Sequence, residues 1–65
     1  MNWEQMEGSW TEVKESVRAK FSKLTDADIE QIEGKKERLI GRIQRRYGYA
    51  KDKAEKEANE LISRL

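Results

Sequence analysis

The chain has 65 residues, with 14 lysines and arginines against 13 aspartates and glutamates, and no histidine, cysteine or proline. That length allows one small domain, 1–65, burying only about 60% of the surface its unfolded form exposes. The missing residue types exclude a disulfide framework, thiolate chemistry and the usual zinc ligand set, while the net charge of +1 and the helical spacing of the apolar residues argue against the disorder that 42% charged residues would otherwise suggest.

From the N-terminus, Trp3, Met6, Trp10, Val13, Val17, Phe21 and Leu24 fall within an arc of about 80° on a helical wheel. Two start signals sit on that stripe, Asn2 with Gln5 and Ser9 with Glu12. They predict a short helix near 3–7, ended by Gly8, and a longer one near 10–22. Thr25 and Asp28 form the next capping box, with Leu24 and Ile29 as its hydrophobic staple. This predicts a helix from Asp26 to Glu33, broken at Gly34. A further helix begins near Lys35 with Gly34 as N-cap. It buries Leu39, Ile40, Ile43 and Tyr47, and stops at Gly48 in the left-handed region. The last helix spans Ala50 to Arg64, with Ala50, Ala54, Ala58, Leu61 and Leu65 on its apolar side. Connections this short between amphipathic helices predict an all-α fold: a bundle of four to five helices built as two crossed helical hairpins.

Charge is sorted along the chain. Residues 25–34 carry Asp26, Asp28, Glu30 and Glu33 with no base, and residues 35–48 carry six bases against Glu37 alone. Lys35, Arg38, Arg42, Arg45 and Arg46 fall within about 100° of one another, beside the apolar face. Such a stripe can contact successive phosphates and release counterions, so these five residues are the candidate nucleic-acid contacts. The plainer alternative is that the stripe pairs with acids of the preceding helix or is solvated. The segment Ile29–Lys36 also loosely resembles a helix-hairpin-helix DNA-binding element, with Lys36 where a second glycine is usual.

Gly41 interrupts a helix, which fits slack or close packing against a segment such as Trp3. Trp3, Trp10, Phe21, Tyr47 and Tyr49 read as core and rim before they read as a base-stacking platform. The alanine face of the last helix could serve self-association, although a monomer is the expectation. No nucleophile–base pair, phosphate loop or nucleotide fingerprint is present, so neither catalysis nor a cofactor or metal is expected. No secretory signal and no apolar run of about 20 residues is found, which points to a cytoplasmic protein without a transmembrane segment.

Several separated motifs carry a family resemblance. They are Asn2-Trp3, Gly8-Ser-Trp10, Lys23-Leu-Thr-Asp-Ala-Asp28, Glu33-Gly-Lys35, Leu39-Ile-Gly41-Arg-Ile-Gln44, Arg46-Tyr-Gly-Tyr49 and Lys51-Asp-Lys-Ala-Glu-Lys56. Together they resemble the CsbD-like family of small bacterial general stress-response proteins. Glu15 and Ser22 stand where relatives often have glycine, and Phe21 where tryptophan is common; the first two changes favour helix. The resemblance implies a SAM-like helical bundle and expression under stress. It supplies no enzymatic activity, no cofactor and no established binding residues, and it leaves the partner as an unknown protein, nucleic acid or none.

Overall fold

The computed structural model describes all 65 residues. Five helices follow in order: α1 (Trp3–Gly8), α2 (Trp10–Lys20), α3 (Asp26–Ile32), α4 (Lys36–Tyr47) and α5 (Lys51–Arg64). There is no strand, and the helices gather into an all-α bundle around one cluster of 14 buried apolar residues. No helix is long and apolar enough to cross a membrane.

Two of the three expected capping boxes form. Gln5 N–H donates to Asn2 Oδ1 at 2.8 Å and Asn2 N–H donates to Gln5 Oε1 at 3.0 Å. Asp28 N–H donates to Thr25 Oγ1 at 3.1 Å and Thr25 N–H to Asp28 Oδ2 at 3.0 Å. The third, Ser9 with Glu12, does not form. Ser9 also closes α1: its N–H donates to Gln5 O at 2.9 Å and to Met6 O at 3.3 Å. That leaves it at φ −114°, ψ 26°, away from the extended backbone a side-chain cap requires, and its side chain makes no cap bond. Gly8 therefore stays inside α1, and a single residue separates the first two helices.

The turn between α3 and α4 also differs in detail from expectation. Helix α3 ends at Ile32, and Glu33 and Gly34 both take positive φ, 53° and 78°. Lys35, not Gly34, is the N-cap of α4, with extended backbone and no side-chain cap bond. Gly34 has another task. A Cβ there would lie 2.7 Å from Glu7 Cα and 3.2 Å from Met6 O, so only glycine lets this turn rest on the backbone of α1.

Ala54 and Ala58 are completely buried, which lets α4 approach α5 closely. The alanine face is thus occupied by the molecule's own core. Ala50 and Leu65, expected on that face, are exposed. Trp3, Trp10, Tyr47 and Tyr49 form the half-buried rim. Trp3 ties α1 to α5, its Nε1–H donating to Asn59 Oδ1 at 3.2 Å. A Cβ on Gly41 would meet nothing within 4 Å, so this glycine is slack and not a packing contact with Trp3.

Candidate nucleic-acid interface

Helix α4 presents the basic stripe on the flank that meets α3, and the structure engages four of its five members internally. Lys35 Nζ lies 3.0 Å from Glu7 Oε1 of α1. Arg38 pairs with Glu33 and donates to Gln31 O at 3.2 Å. Arg42 Nη1 donates to Asp28 Oδ1 at 3.0 Å and Nη2 to the Gln31 side chain. Arg46 grips the same carboxylate twice, Nε to Oδ2 at 2.7 Å and Nη2 to Oδ1 at 3.2 Å. Arg45 alone is exposed with no carboxylate partner.

The centre of this network is Asp28, which is only 1% exposed. Its position follows from the sequence in two steps. As the third residue of α3 it must turn its carboxylate back to the Thr25 N–H. The adjacent Ile29 and Ile32 then draw that side of α3 onto α4, beneath Arg42 and Arg46. The two oxygens offer about four acceptor sites, and the Thr25, Arg42 and Arg46 donors fill them. The Arg46 hydrogen bonds hold the Asp28 pKa well below the usual carboxylate range, aided by the Thr25 N–H and outweighing burial, which acts in the opposite direction. The same contact raises the Arg46 pKa. Sequence reasoning placed Asp28 as a cap and offered pairing of the stripe with acids of the preceding helix, but did not single out Asp28 as the acid, because the arginines lie 14 and 18 residues further along the chain.

At the turn that resembles a helix-hairpin-helix, the structure engages one amide internally and buries the glycine. Lys35 N–H donates to Ile32 O at 3.0 Å, and Gly34 is buried under α1.

A different cluster lies at the junction of α4 and α5. Phe21 meets Tyr47 edge-on with ring centres 6.1 Å apart, and Tyr47 meets Tyr49 at 5.3 Å and 33°. Lysine ammoniums cap these rings: Lys23 lies 5.1 Å from the Tyr47 centre and Lys53 4.3 Å from that of Tyr49. Lys23 N–H also donates to the Tyr47 hydroxyl at 3.3 Å.

A family profile described as CsbD-like matches residues 4–56. The chain belongs to the CsbD-like family. The matched span runs from α1 into α5 and includes Asp28, both of its arginines and the Tyr47–Tyr49 turn. The CsbD-like chain is 51% identical over 64 residues to the UPF0337 protein YjbJ of Escherichia coli K12, covering 98% of this chain and 93% of the relative. It is 49% identical over 64 residues to YjbJ of Salmonella typhimurium, covering 98% and 91%. A UPF0337 protein of Protochlamydia amoebophila is 47% identical over 57 residues, covering 88% and 86%. No solved structure gives a significant match. The CsbD-like family is a general stress-response family.

Proposed function

We propose that this protein serves the bacterial stress response as a non-catalytic folded body in the cytoplasm, acting by binding or through its own abundance. The observation that carries this reading is the state of Asp28. It is the buried carboxylate of the molecule, the kind of group from which an acid, base or nucleophile would be made. Its acceptor sites are filled by fixed N–H donors, and its lowered pKa makes it a poor proton acceptor near neutrality. Such a carboxylate orients helices and has no free lone pair to offer a substrate.

The test is survival of a deletion strain under stress, with expression titrated and the folded amount of protein measured. Wild type and Asp28→Asn should fall on one curve of survival against folded dose. An Asp28→Asn protein that reaches the wild-type folded level yet gives no protection would overturn the reading.

A second reading makes the stripe of Lys35, Arg38, Arg42, Arg45 and Arg46 a nucleic-acid contact. Arg45 favours it, since its guanidinium is exposed and unpaired. The other four would have to exchange an internal partner for a phosphate.

A further inference from the structure

The bases of this molecule divide into those that hold the fold and those that do not. Arg18, Lys20, Lys35, Lys36, Arg38, Arg42 and Arg46 each face a carboxylate. Lys23, Arg45 and Lys53 face none, and Lys23 and Lys53 belong to the corner built on Tyr47 and Tyr49. Lys23 and Lys53 lie over the two rings, whereas Arg45, two residues before Tyr47 in α4, points to another side of that helix. Lys51, also without a carboxylate partner, follows two residues after Tyr49. Lys14, Lys56 and Arg64 are unpaired elsewhere, but none has an aromatic ring beneath it.

We propose that the Tyr47–Tyr49 corner, with Lys23 and Lys53 over its rings, binds single-stranded nucleic acid, one base stacking on Tyr49 and adjacent phosphates lying on the two cations. This deepens the reading that the protein acts by binding, and rests on it. The site differs from the α4 stripe and shares no residue with it.

The energetics favour exchange of the resident lysine for a base. A cation over an exposed ring is held less strongly than a base stacked on an aromatic ring. The Lys53 ammonium ends a flexible stem, so it can leave the ring for a phosphate while a base takes its place. Tyr49 ends the run of rings that starts at the buried Phe21, and it is only half-buried. A splayed base can reach such a ring; a base held inside a duplex cannot. Charge complementarity is local as well, because the bases at this corner have no internal counter-ion to give up.

The experiment is fluorescence anisotropy with the full chain and labelled oligothymidylate and oligouridylate of about 15 nucleotides, beside a duplex of equal length, from about 50 mM salt upward. The single strands should bind more tightly than the duplex, with affinity falling as salt rises; preference for one of the two strands would name DNA or RNA as the source. Tyr49→Ala should weaken binding roughly 5- to 150-fold, while Tyr49→Phe, which keeps the ring, should retain it. Lys53→Gln and Lys23→Gln, both at exposed positions, should each lower the logarithmic salt slope by about 0.7. Lys35→Gln, at the far end of α4, should change nothing. Absence of single-strand binding at about 50 mM salt would overturn the proposal, as would equal affinity for the duplex or a loss with Tyr49→Phe as large as with Tyr49→Ala. That failure would leave the non-catalytic reading intact, since survival at matched folded dose decides it separately.

Discussion

Replacing Gly34 with alanine should loosen α1 before anything else in the molecule. Gly34 sits at φ 78°, where an alanine costs about 1–2 kcal/mol from its own backbone conformation. The new Cβ would also lie 2.7 Å from Glu7 Cα and 3.3 Å from Glu7 N. These are backbone atoms that cannot rotate aside, so α1 must shift. Met6 and the Lys35–Glu7 pair depend on its position, and Met6 is fully buried. Losing part of the roughly 1.5–3 kcal/mol from Met6 burial brings the total to about 2–4 kcal/mol. A chain of this length has only about 3–10 kcal/mol of stability in all, and its Tm moves about 4–8 °C per kcal/mol. Thermal unfolding followed by circular dichroism should therefore show a fall of about 10–30 °C. Hydrogen exchange should show the Met6 amide, bonded to Asn2 O, losing protection ahead of those in α4. Gly41→Ala is the matched control, since a Cβ there meets open space; it should stabilise the helix by about 0.5–1 kcal/mol. A Gly34→Ala protein with unchanged Tm and unchanged α1 protection would refute the contact.

The depressed pKa of Asp28 fixes the direction of an acid effect. Its contribution is complete above the ordinary aspartate value of about 3.9 and drains away as pH falls from there through the lowered folded value. The Tm gap between wild type and Asp28→Asn should thus be widest near neutrality and narrow below about pH 4; a constant gap down to pH ~2.5 would show that the ion pairs with Arg42 and Arg46 contribute nothing. For the α4 stripe, gel shifts with duplex DNA should separate Arg45 from Arg42. Arg45→Glu should weaken stripe binding without lowering Tm, whereas Arg42→Glu sets a second anion against Asp28 and should lower Tm whether or not DNA is bound. Unaltered duplex affinity in Arg45→Glu would remove the stripe from consideration.

What the sequence discloses depends on how far apart the interacting groups are. Asn2 with Gln5 and Thr25 with Asp28 are legible because each box is closed by atoms three residues apart. Ser9 with Glu12 has the same pattern and fails, since the Ser9 backbone is already spent on closing α1. Helical phase likewise gathers Arg38, Arg42, Arg45 and Arg46 on one flank of α4. It cannot say that three of them are spent on Asp28 and Glu33, because that depends on how α3 lies against α4. Gly34 shows the same limit: as a helix breaker it is a local fact, as a resting place for Glu7 it is a tertiary one. The aromatic corner is half visible. Tyr47-Gly48-Tyr49 reads as a turn with rim aromatics, but Lys23 arrives from the α2–α3 connection and Lys53 from α5.

The division of the bases has a physical consequence for where a partner can bind. A buried carboxylate under two guanidiniums contributes little net stability compared with an apolar contact, yet removing one member strands a charge at high cost. Arg42 and Arg46 are therefore tied to Asp28 by the penalty of leaving it, and a polyanion that recruited them would have to meet that penalty out of its own binding energy. Lys23, Arg45 and Lys53 carry no such tie, and the rings beneath the two lysines hold them only weakly. A near-neutral molecule can in this way keep a locally basic, aromatic surface available while its most concentrated run of positive charge is neutralised from within. Charge clustering along the sequence then points to the α4 stripe, most of which is neutralised internally, and the bases without internal partners point to the aromatic corner beyond its last turn.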